Sequence, residues 1–362
     1  MAPTRFGADG LYGGGERYPL ELARATARIP GARCELVTFG RQAAEHRDSN
    51  GLVVRVLPAL WHRRGHPAHP VAPRLITGLG GADVVHTHHL HSTPSRIAGL
   101  IGRISGRATV VTDHGLGGGD WFGLLPRLFD RLLAVSRYSA SLLDFPATKT
   151  AVVYGGADAR RFAPSAGEGR AGVLAVGRLT PHKGFDRLIT SLPRDVRLTI
   201  AGTGGHDPDA PERDHPNHLR QLARGRDVHF VGAVEDAALA RLYRRAAVVA
   251  VPSVEVTCYG RTIAVSELLG LTAIEAMASG TPVVASRIGG LAEVVVDGET
   301  GFLVEPGDIG ELGARLEELL TDPQRARRMG DAARRLVLER YTWDACARRC
   351  VLAYGQLLRS SS

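Results

Sequence analysis

The sequence of residues Ser266–Gly280 is Ser-Glu-Leu-Leu-Gly-Leu-Thr-Ala-Ile-Glu-Ala-Met-Ala-Ser-Gly, and it decides the fold class. Its second half, Thr272 to Ser279, consists mainly of good helix formers. Two short apolar runs, Ala247–Val251 and Pro282–Ala285, flank it. Strands that are apolar on both faces and joined by helices are typical of a parallel sheet covered on each side. The stretch therefore predicts an α/β fold.

The same alternation of strand and helix patterns extends over most of the chain. The predicted strands of the first half are Cys34–Phe39, Val53–Leu57, Asp83–Thr87, Ala108–Thr112, Leu132–Val135 and Thr150–Tyr154. The predicted strands of the second half are Gly172–Val176, Val196–Ala201, Val228–Val231, Ala247–Val251, Pro282–Ala285 and Gly301–Val304. Between the halves, Gly155–Gly172 is rich in turn formers and lacks periodicity, so we interpret it as a linker between domains.

We therefore expect two Rossmann-like, doubly wound parallel-sheet domains that face a central cleft. Residues 1–160 form the N-terminal domain and residues 161–342 the C-terminal domain. Residues 343–362 carry apolar side chains at helical spacing, which predicts a C-terminal helix packed back on the N-terminal domain. Within that helix, Cys346 and Cys350 lie one turn apart on the apolar stripe, which favours core packing over a disulfide.

Composition excludes several classes of protein. Of the 362 residues, 44% are hydrophobic and 23% are charged, which is ordinary for a globular protein and excludes disordered and fibrous chains. The longest apolar runs, such as Ala246–Pro252, are far shorter than the roughly 20 residues that a membrane span needs. No charged segment followed by an apolar segment opens the chain, so we predict no secretory signal and a cytoplasmic protein.

The formal net charge of +8 comes almost entirely from arginine, since Lys149 and Lys183 are the only lysines. That bias, with abundant Ala and Gly, is typical of a high-G+C bacterium. A solvated basic surface and a weak attraction to anionic membranes or phosphorylated substrates both remain open, so we expect at most peripheral membrane contact. Aromatic residues are not interleaved with the arginines, so nucleic-acid binding is not predicted. The sequence does not indicate an oligomeric state.

Two glycine-containing loops are candidate anion sites. Gly13–Glu16 directly precedes the first amphipathic helix, where glycines and free N–H groups suit a diphosphate, although a tight turn needs glycines too. Gly177–Gly184, with the sequence Gly-Arg-Leu-Thr-Pro-His-Lys-Gly, follows a predicted strand. Its Arg178 and Lys183 lie five residues apart and form a natural clamp for a pyrophosphate.

The opening stretch holds two carboxylates eight residues apart, Glu267 and Glu275. We expect Glu275 in the first turn of the helix and Glu267 just before it, with the loop Leu269–Thr272 directing N–H groups toward an anion or sugar hydroxyls. A buried carboxylate in an otherwise apolar helix needs hydrogen-bond donors, and sugar and ribose hydroxyls supply them.

Together these motifs resemble glycosyltransferase family 4, the retaining glycosyltransferases of group 1 with the GT-B fold. The resemblance rests on Glu-x₇-Glu, on Gly-Arg-Leu-x₃-Lys-Gly about 90 residues upstream, and on Gly-Thr-Pro-Val-Val-Ala-Ser-x₃-Gly-Gly downstream. It extends from Tyr12 to about Trp343. It implies a hexosyltransferase that moves a hexose-type sugar from a UDP- or GDP-linked donor to a hydroxyl of a small-molecule or lipid-linked acceptor. Natural-product and cell-envelope glycosides are both possible products.

The resemblance also implies roles for single residues. Arg178 and Lys183 would hold the donor diphosphate, Glu275 the ribose, and Glu267 the hydroxyls of the transferred sugar. The turn at Val231 and Gly232 would contact the base. The remaining expected donor contacts are Gly14, Gly15, Gly177, Gly270, Leu271 and Thr272. The catalytic residues that the resemblance implies are His114, Arg178, Lys183 and Glu267.

A histidine-rich region follows two predicted strands of the N-terminal domain. His86, His88, His89 and His91 are close enough in sequence to suggest metal ligands. On an extended chain, however, His86 and His88 share one face and His89 points away, and no cysteine or carboxylate completes a tetrahedral set, so we predict no metal site.

The resemblance implies that His114 faces the transferred sugar and that His88 or His89 lies near the acceptor. Asp113 is the one N-domain carboxylate placed to act as a base, or it forms a structural hydrogen bond. Retaining family members lack an evident carboxylate nucleophile, so the expected route is front-face attack without a metal or other cofactor. The single Asp-x-Asp, Asp207–Asp209, lies in a Pro-rich loop and is interpreted as a solvated turn.

Two features depart from the family pattern. Only Met1–Asp9 precedes the glycine loop, with Phe6 as its one large apolar residue after Met1, so the first strand of the N-terminal domain is expected to be missing. Either the start is truncated or the sheet has an unfilled central position. The segment Val254–Ser266 is an insertion that we expect to border the sugar pocket.

Other functions stay open at this point. A nucleotide-sugar epimerase of GT-B-like fold is one, and a catalytically impaired sugar-nucleotide-binding protein is another. A pyridoxal-phosphate-dependent phosphorylase would need a Schiff-base lysine beyond Lys183, and Lys149 is expected in a turn. A dinucleotide oxidoreductase is least favoured, because Asp207 stands where its glycine motif needs a third glycine.

Overall fold

The computed structural model describes residues 1–3, 14–48, 51–115, 123–165, 169–204 and 214–360. The chain divides into two compact units. The first comprises Met1–Gly155 together with Trp343–Ser362, and the second comprises Gly156–Thr342. Gly13, Asp207 and Asp209, which the sequence analysis singled out, lie outside the described residues.

The first unit is a mixed α/β structure. Its strands are β1 Glu35–Gly40, β2 Ala44–Arg47, β3 Val53–Pro58, β4 Trp61–His62, β5 Pro70–Val71, β6 Val84–His88, β7 Ala108–Thr112, β8 Arg131–Ala134 and β9 Thr150–Val152. Its first four α-helices are α1 Gly14–Ala27, α2 Leu75–Gly78, α3 Thr93–Ser105 and α4 Arg137–Ser141. Short 3₁₀ turns connect them at Arg63–Gly65, Leu125–Leu128 and Ala147–Lys149.

Parallel pairing dominates the sheets of the first unit. Strands β6, β7, β8 and β9 are neighbours in that order and all run parallel. A second sheet has the order β1-β3-β2, in which β3 is parallel to β1 and antiparallel to β2. The two-residue strands β4 and β5 form an antiparallel pair.

Met1 and Ala2 connect these two sheets. The N–H of Ala2 donates to the carbonyl of Val37 in β1 at 2.9 Å, and the N–H of His88 in β6 donates to the carbonyl of Met1 at 3.1 Å. Ala2 and Met1 are buried, each in one of the apolar clusters under the sheets. The position between β1 and β6, where the sequence predicts a missing strand, is therefore partly occupied by these two residues.

The second unit contains a single fully parallel sheet. Its strands are β10 Val173–Val176, β11 Leu198–Ala201, β12 Val228–Gly232, β13 Val248–Val251, β14 Val283–Ser286 and β15 Gly301–Val304. Its helices are α5 Phe185–Ser191, α6 His215–Leu222, α7 Asp236–Arg245, α8 Leu271–Ala278, α9 Leu291–Val294, α10 Ile309–Thr321 and α11 Pro323–Arg340, with a 3₁₀ turn at Pro181–Lys183. The strand order is β12-β11-β10-β13-β14-β15, and each neighbouring pair runs parallel.

The central strands β13 and β14 are buried on both faces, as their unbroken apolar sequences predict. On one face they pack against α5 and α10, through side chains such as Leu188 and Leu316. On the other, α8 carries the buried residues Ile274 and Met277. This core fixes the carboxyl ends of β10 and β13, from which the candidate site is built.

The last helix, α12 Trp343–Ser360, completes the first unit. It packs beside α1, where the ring of Trp343 meets the ring of Tyr18 edge-on, with centroids 5.1 Å apart. Cys346 and Cys350 are both buried free thiols, so the interpretation as core packing is confirmed and the disulfide alternative is not. None of the helices in the described part of the chain is both long and apolar enough to cross a membrane.

Candidate functional site

The sheet of the second unit has a topological switch point between β10 and β13. Chain connections proceed outward from this pair in opposite directions, so the loops that follow the two strands diverge at the carboxyl edge. Open α/β sheets bind ligands at such a point. The loop after β10 is Gly177–Gly184, and the segment after β13 leads through Glu267 to α8. The topology therefore brings together the motifs that the sequence singles out.

Close backbone approaches join the two loops. Gly184 has φ of +66°, and a Cβ atom there would overlap the carbonyl oxygen of Pro252. The N–H of Val254 donates to the carbonyl of His182 at 2.8 Å. Only glycine tolerates both the left-handed backbone and this proximity, so the loop after β10 is fixed against the loop after β13.

Lys183 and Glu267 form an ion pair, in which the Nζ of Lys183 donates to Oε1 of Glu267. The hydroxyl of Ser253 donates to the same oxygen at 3.0 Å. The side chains of Lys183 and Glu267 are 19% and 12% exposed, so the pair is partly shielded yet reachable by a ligand. Two residues that lie 84 positions apart in the sequence thus share one site.

The other cation of the predicted clamp, Arg178, is exposed at the start of the same loop. Its neighbour Gly177 has φ of +156°, and the N–H of Gly177 donates to the carbonyl of Ala201 at 2.9 Å. Between the two cations, burial lowers the pKa of His182 to about 3, with the charges of Lys183 and Arg178 adding to the effect. His182 is therefore neutral at pH 7, and the positive charge of the loop comes from Arg178 and Lys183.

Helix α8 begins at the second half of the motif. Gly270 has φ of +92° and ψ of 52°, and a Cβ atom on it would lie 2.5 Å from Cδ2 of Leu291. A Cβ atom on Gly290 would overlap the carbonyl oxygen of Leu268. The Gly-Gly of the downstream motif thus lets the loop after β14 pack on the residues that precede α8. Leu271 and Thr272, the first residues of the helix, are half-buried.

Glu275 lies one turn further along α8 than the sequence predicts. Helix α8 begins at Leu271, so Glu275 occupies its second turn, and the prediction of a first-turn position is wrong. Its carboxylate is buried, and the hydroxyl of Tyr243 donates to Oε2 at 3.1 Å. The buried charge is stabilised in part by a tyrosine that the sequence analysis did not single out.

At the end of β12, the turn predicted to contact a nucleobase is accessible. Val231 is 42% exposed and Gly232 has φ of +69° with no heavy atom near its missing Cβ. The carbonyl of Gly232 accepts from the N–H of Gly202 at 2.7 Å, which connects the carboxyl ends of β12 and β11.

In the first unit, the start of α1 lies against a histidine. Gly14 and Gly15 are the first two residues of the helix. A Cβ atom on Gly15 would be 3.2 Å from Cε1 of His89. His89 itself has φ of +64°, which is uncommon for a residue with a side chain, and its buried Nδ1 has no partner among the described residues. The structure thus brings the glycine loop and one predicted acceptor-side histidine together.

Three other histidines form a stack beside His89. The rings of His86 and His88 are 4.6 Å apart, as expected for side chains on one face of a strand, and the rings of His88 and His114 are 5.3 Å apart. Burial is the main cause that lowers the pKa of each ring, to about 3 for His86 and well below the ordinary value for His88 and His114. Among the described residues, no group of three or more His, Cys, Asp or Glu side chains is arranged to hold a metal ion.

Asp113 accepts two backbone hydrogen bonds. Its Oδ1 accepts from the N–H of Leu90 and its Oδ2 from the N–H of Gly115, both at 2.9 Å. Of the two interpretations that the sequence left open, these contacts support the structural one, since both oxygens fasten the loops after β6 and β7.

The insertion Val254–Ser266 is a small hairpin with an antiparallel bridge between Val256 and Thr262. Its Tyr259 hydroxyl lies 3.2 Å from Nδ1 of His215, the first residue of α6. The hairpin therefore reaches from β13 to the helix that follows β11. No sequence pattern indicated this contact or the contacts of Ser253 and Tyr243, because each depends on neighbours distant in sequence.

Comparison with known families finds matches over most of the chain. The family model described as glycosyl transferases group 1 matches residues 157–336, and the model for glycosyltransferase family 4 matches residues 12–161.

Several curated proteins are similar in sequence. The chain is 35% identical over 255 residues to MMP alpha-(1->4)-mannosyltransferase from Mycolicibacterium hassiacum, covering 66% of this chain and 58% of that protein. It is 34% identical over 212 residues to glycogen synthase from Mycobacterium tuberculosis, covering 56% of this chain and 47% of that protein. D-inositol 3-phosphate glycosyltransferase from Kribbella flavida is 36% identical over 251 residues, covering 62% and 56%. The chain thus spans less than two thirds of the length of these relatives.

Solved structures share the fold. Sucrose-phosphate synthase from Thermosynechococcus elongatus has a TM-score of 0.72 at 24% identity, covering 96% of this chain and 94% of that chain. HepE from Anabaena, solved in complex with UDP-glucose, has a TM-score of 0.73 at 20% identity, covering 97% of both chains. These similarities confirm the predicted fold class, α/β with parallel sheets and the GT-B architecture.

Proposed function

We propose, since the chain belongs to glycosyltransferase family 4 of group 1, that it transfers a hexose-type sugar from a nucleotide diphosphate sugar to an acceptor hydroxyl. UDP and GDP are the expected nucleotides. The acceptor is a small molecule or a lipid-linked sugar, and the product belongs to natural-product or cell-envelope glycosides. The transfer retains the anomeric configuration.

One observation supports this proposal most strongly. Lys183 and Glu267, whose roles the resemblance assigns to diphosphate and sugar, are in direct contact at the switch point of the second unit. A cation and a carboxylate at one place match a ligand that carries a phosphate group directly bonded to a polyhydroxylated ring. Arg178 adds a second cation, and diphosphates are bound well by such paired donors.

We propose that different residues along the carboxyl edge of this sheet bind different parts of the donor. The turn Val231–Gly232 contacts the base and Glu275 the ribose, while Glu267 and the backbone of residues 270–272 bind the sugar. When the donor binds, Lys183 gives up part of its contact with Glu267 and binds the diphosphate. Because the pair is already formed, the lysine is held in place before the donor arrives, which lowers the entropic cost of positioning it.

The proposed reaction proceeds on one face of the sugar. The bond between C1 and the β-phosphate oxygen breaks as the acceptor oxygen bonds to C1, through a state that resembles an oxocarbenium ion. The departing phosphate oxygen takes the proton of the acceptor hydroxyl. Arg178 and Lys183 stabilise the negative charge that develops on the leaving diphosphate, which is the part of the barrier that this chain's residues lower.

The first unit supplies the proposed acceptor-side residues, with His114 as a catalytic histidine and His88 and His89 beside it. These rings are neutral at pH 7, so they act through hydrogen bonds and shape rather than charge. Asp113 is assigned to holding the loops, because both of its oxygens already accept backbone hydrogen bonds.

A panel of nucleotide sugars tests the proposal by thermal shift. A donor at 100 times its dissociation constant stabilises the folded protein by about 2.7 kcal/mol, which is readily measured. We expect a UDP- or GDP-sugar to raise the melting temperature of the wild type and of Lys149→Ala, but not of Lys183→Ala. Lys149 is the matched control because it is the only other lysine and lies in the first unit.

Product analysis then separates the enzyme classes. With the best donor, release of the nucleoside diphosphate and a new glycoside with retained configuration support the proposal. Interconversion of two nucleotide sugars without an acceptor would show an epimerase instead. Donor binding without any turnover, across a panel of hydroxyl acceptors, would show a binding protein.

A further inference from the structure

The first unit contains an imidazole pair, His88 and His114, and the proposed function does not specify which of its ring nitrogens carry protons. The Nδ1 atom of His88 lies 3.0 Å from the Nε2 atom of His114, and the two rings are tilted by only 15°. A hydrogen bond between two imidazole nitrogens needs one N–H donor and one lone pair. The tautomer of one ring therefore fixes the tautomer of the other.

Both rings are neutral at pH 7. His88 is 3% exposed, and His114 lies between His88, His89 and the ring of Tyr18. Burial disfavours the charged imidazolium and lowers the pKa of both rings well below the ordinary value. Each ring therefore carries one proton, on one of its two nitrogens.

Two arrangements satisfy the contact. In the first, Nε2–H of His114 donates to Nδ1 of His88, so both rings carry their proton on Nε2. In the second, Nδ1–H of His88 donates to Nε2 of His114, so both carry it on Nδ1. A free neutral histidine side chain prefers the proton on Nε2, and only the first arrangement gives both rings that form.

The first arrangement has a consequence for the other nitrogen of His114. Its Nδ1 then carries a lone pair, and no residue in the described part of the chain is hydrogen-bonded to that atom. A nitrogen of this kind accepts a hydrogen bond from a hydroxyl. Sugars and polyols are rich in hydroxyl donors.

Neighbouring residues hold the pair in place. His86 stacks on His88, and its two nitrogens are already engaged, with the Tyr354 hydroxyl at 2.6 Å and the Thr112 hydroxyl at 2.9 Å. The Tyr18 ring lies 4.9 Å from the ring of His114, and its hydroxyl donates to the carbonyl of Val153 at 3.1 Å. Neither ring of the pair is free to rotate without disturbing these contacts.

We propose that His88 is a positioning residue that holds His114 with Nε2 protonated and Nδ1 unprotonated, so that Nδ1 accepts a hydrogen bond from a substrate hydroxyl. The identity of that substrate rests on the proposed function. The tautomer and its dependence on His88 do not.

Nitrogen NMR of the free protein tests the tautomer directly. In protein labelled with ¹⁵N-histidine, long-range ¹H–¹⁵N correlations distinguish a protonated ring nitrogen from an unprotonated one, and His114→Gln assigns the signals. We expect His114 to show a protonated Nε2 and an unprotonated Nδ1 at pH 7. A proton on Nδ1, or an imidazolium, overturns the proposal.

Two substitutions of His88 test its role. The side-chain oxygen of His88→Asn takes a position close to that of Nδ1 and still accepts from His114, whereas His88→Leu has no acceptor. We expect His88→Leu to lower kcat by about 10²-fold, as misplacement of a reacting group does, with an unchanged KM for the donor. His88→Asn should recover most of that loss, and in its spectrum His114 should keep the proton on Nε2.

His46→Asn is the matched control, because His46 is exposed on β2 of the same unit and its loss should change nothing. Equal losses in His88→Asn and His88→Leu would overturn the positioning role. If His88→Leu does not fold, the spectra of the wild type and His88→Asn decide. If the wild type transfers no sugar, the proposed function fails, while the NMR result still decides the tautomer.

Discussion

The two units prepare their candidate sites by different physical means. In the second unit, charged side chains meet at the carboxyl edge of the sheet, and Lys183 is paired with Glu267 before any ligand binds. In the first unit, the corresponding residues are buried imidazoles that burial keeps neutral. Charge thus defines one site and hydrogen-bond geometry the other. A negatively charged leaving group needs the first kind of site, whereas a neutral hydroxyl is suited by the second.

The largest effect is expected when a positively charged side chain of the candidate site in the second unit is replaced by alanine. Arg178→Ala and Lys183→Ala should each lower kcat/KM by about 10²–10³-fold, because each cation is proposed to stabilise charge that develops on the leaving diphosphate. Steady-state kinetics with the best donor measures this. Arg194→Ala, a cation elsewhere in the same unit, serves as the control. Unchanged kinetics in both site variants would refute the assignment of the diphosphate clamp.

Acidification should destabilise the first unit more than the second. His86, His88, His89 and His114 in the first unit have lowered pKa values, of about 3 for His86 and about 4 for His89. In the second unit, His182 and His215 have pKa values of about 3 and about 4. The unfolded chain, with an ordinary histidine pKa of about 6.5, binds protons first as the pH falls. Stability is therefore complete above about pH 6.5 and decreases below it, toward the folded-state values.

At pH 5.5, one unit below the ordinary pKa, each such histidine costs about 1.4 kcal/mol of unfolding free energy. The first unit has two more of the histidines named above, so its disadvantage should be about 3 kcal/mol, to which the lowered pKa of half-buried His69 in the same unit adds. Hydrogen exchange followed by mass spectrometry at pH 7.5 and 5.5, corrected for intrinsic exchange rates, measures the protection of each unit. Equal losses of protection in both units would contradict the assignment of the neutral cluster to the first.

A smaller effect is expected at the loop junction of the second unit. Gly184→Ala places a side chain at φ of +66° and against the carbonyl oxygen of Pro252, which is backbone and cannot move alone. Gly298→Ala is the matched control, since Gly298 has φ of +77° with no heavy atom within 4 Å of a Cβ. Urea unfolding should show the strain of a left-handed residue, about 1–3 kcal/mol, in both, and a clearly larger loss for Gly184→Ala. Equal losses would mean that the two loops are not fixed against each other.

The smallest effect is expected at the start of α1. A Cβ atom on Gly15 would meet the ring of His89 at 3.2 Å, and the ring end can shift by a few tenths of an ångström. Gly310 occupies the same helical position in α10, with only the Asp308 carboxylate at 3.4 Å. Alanine is the better helix former by about 1 kcal/mol, so Gly310→Ala should stabilise the protein, as urea unfolding would show. Gly15→Ala should not show this gain in stability and should change kcat slightly. A full gain in stability with unchanged kinetics would mean that position 15 does not act on His89.

Sequence patterns predicted the second unit better than the first. Continuous apolar strands such as Val248–Val251, separated by helices, give a strong signal, and their parallel pairing follows from it. The proximity of Lys183 and Glu267 could be predicted, because each belongs to a motif that follows a strand end. The burial of Glu275 was expected, but its contact with Tyr243 was not, because Tyr243 belongs to a different helix.

In the first unit, each predicted strand lies within about two residues of an observed one, but β2 and the short pair β4 and β5 were not predicted. Two-residue strands such as β4 and β5 carry no periodicity. Nor did the sequence indicate how Met1 and Ala2 contribute to the sheets, because this depends on a few main-chain hydrogen bonds, among them the one from the Met1 amino group to the carbonyl of His86. The histidine stack was recognised as a group, yet its links to Tyr18 and Tyr354 join segments more than 60 residues apart. Contacts of that kind leave no local pattern.

The return of α12 to the first unit imposes an order on biosynthesis. Tyr18 is fully buried against Trp343 and Cys346, and these residues leave the ribosome only after all of Gly156–Thr342. At about 5–20 residues per second, the ribosome makes the roughly 190 residues between Gly155 and Trp343 in about 10–40 seconds. During that interval the nascent first unit has an exposed Tyr18 and an unsupported His114. The unit whose synthesis begins first is therefore completed last. Chaperones have more time to bind it in its incomplete state than to bind the second unit.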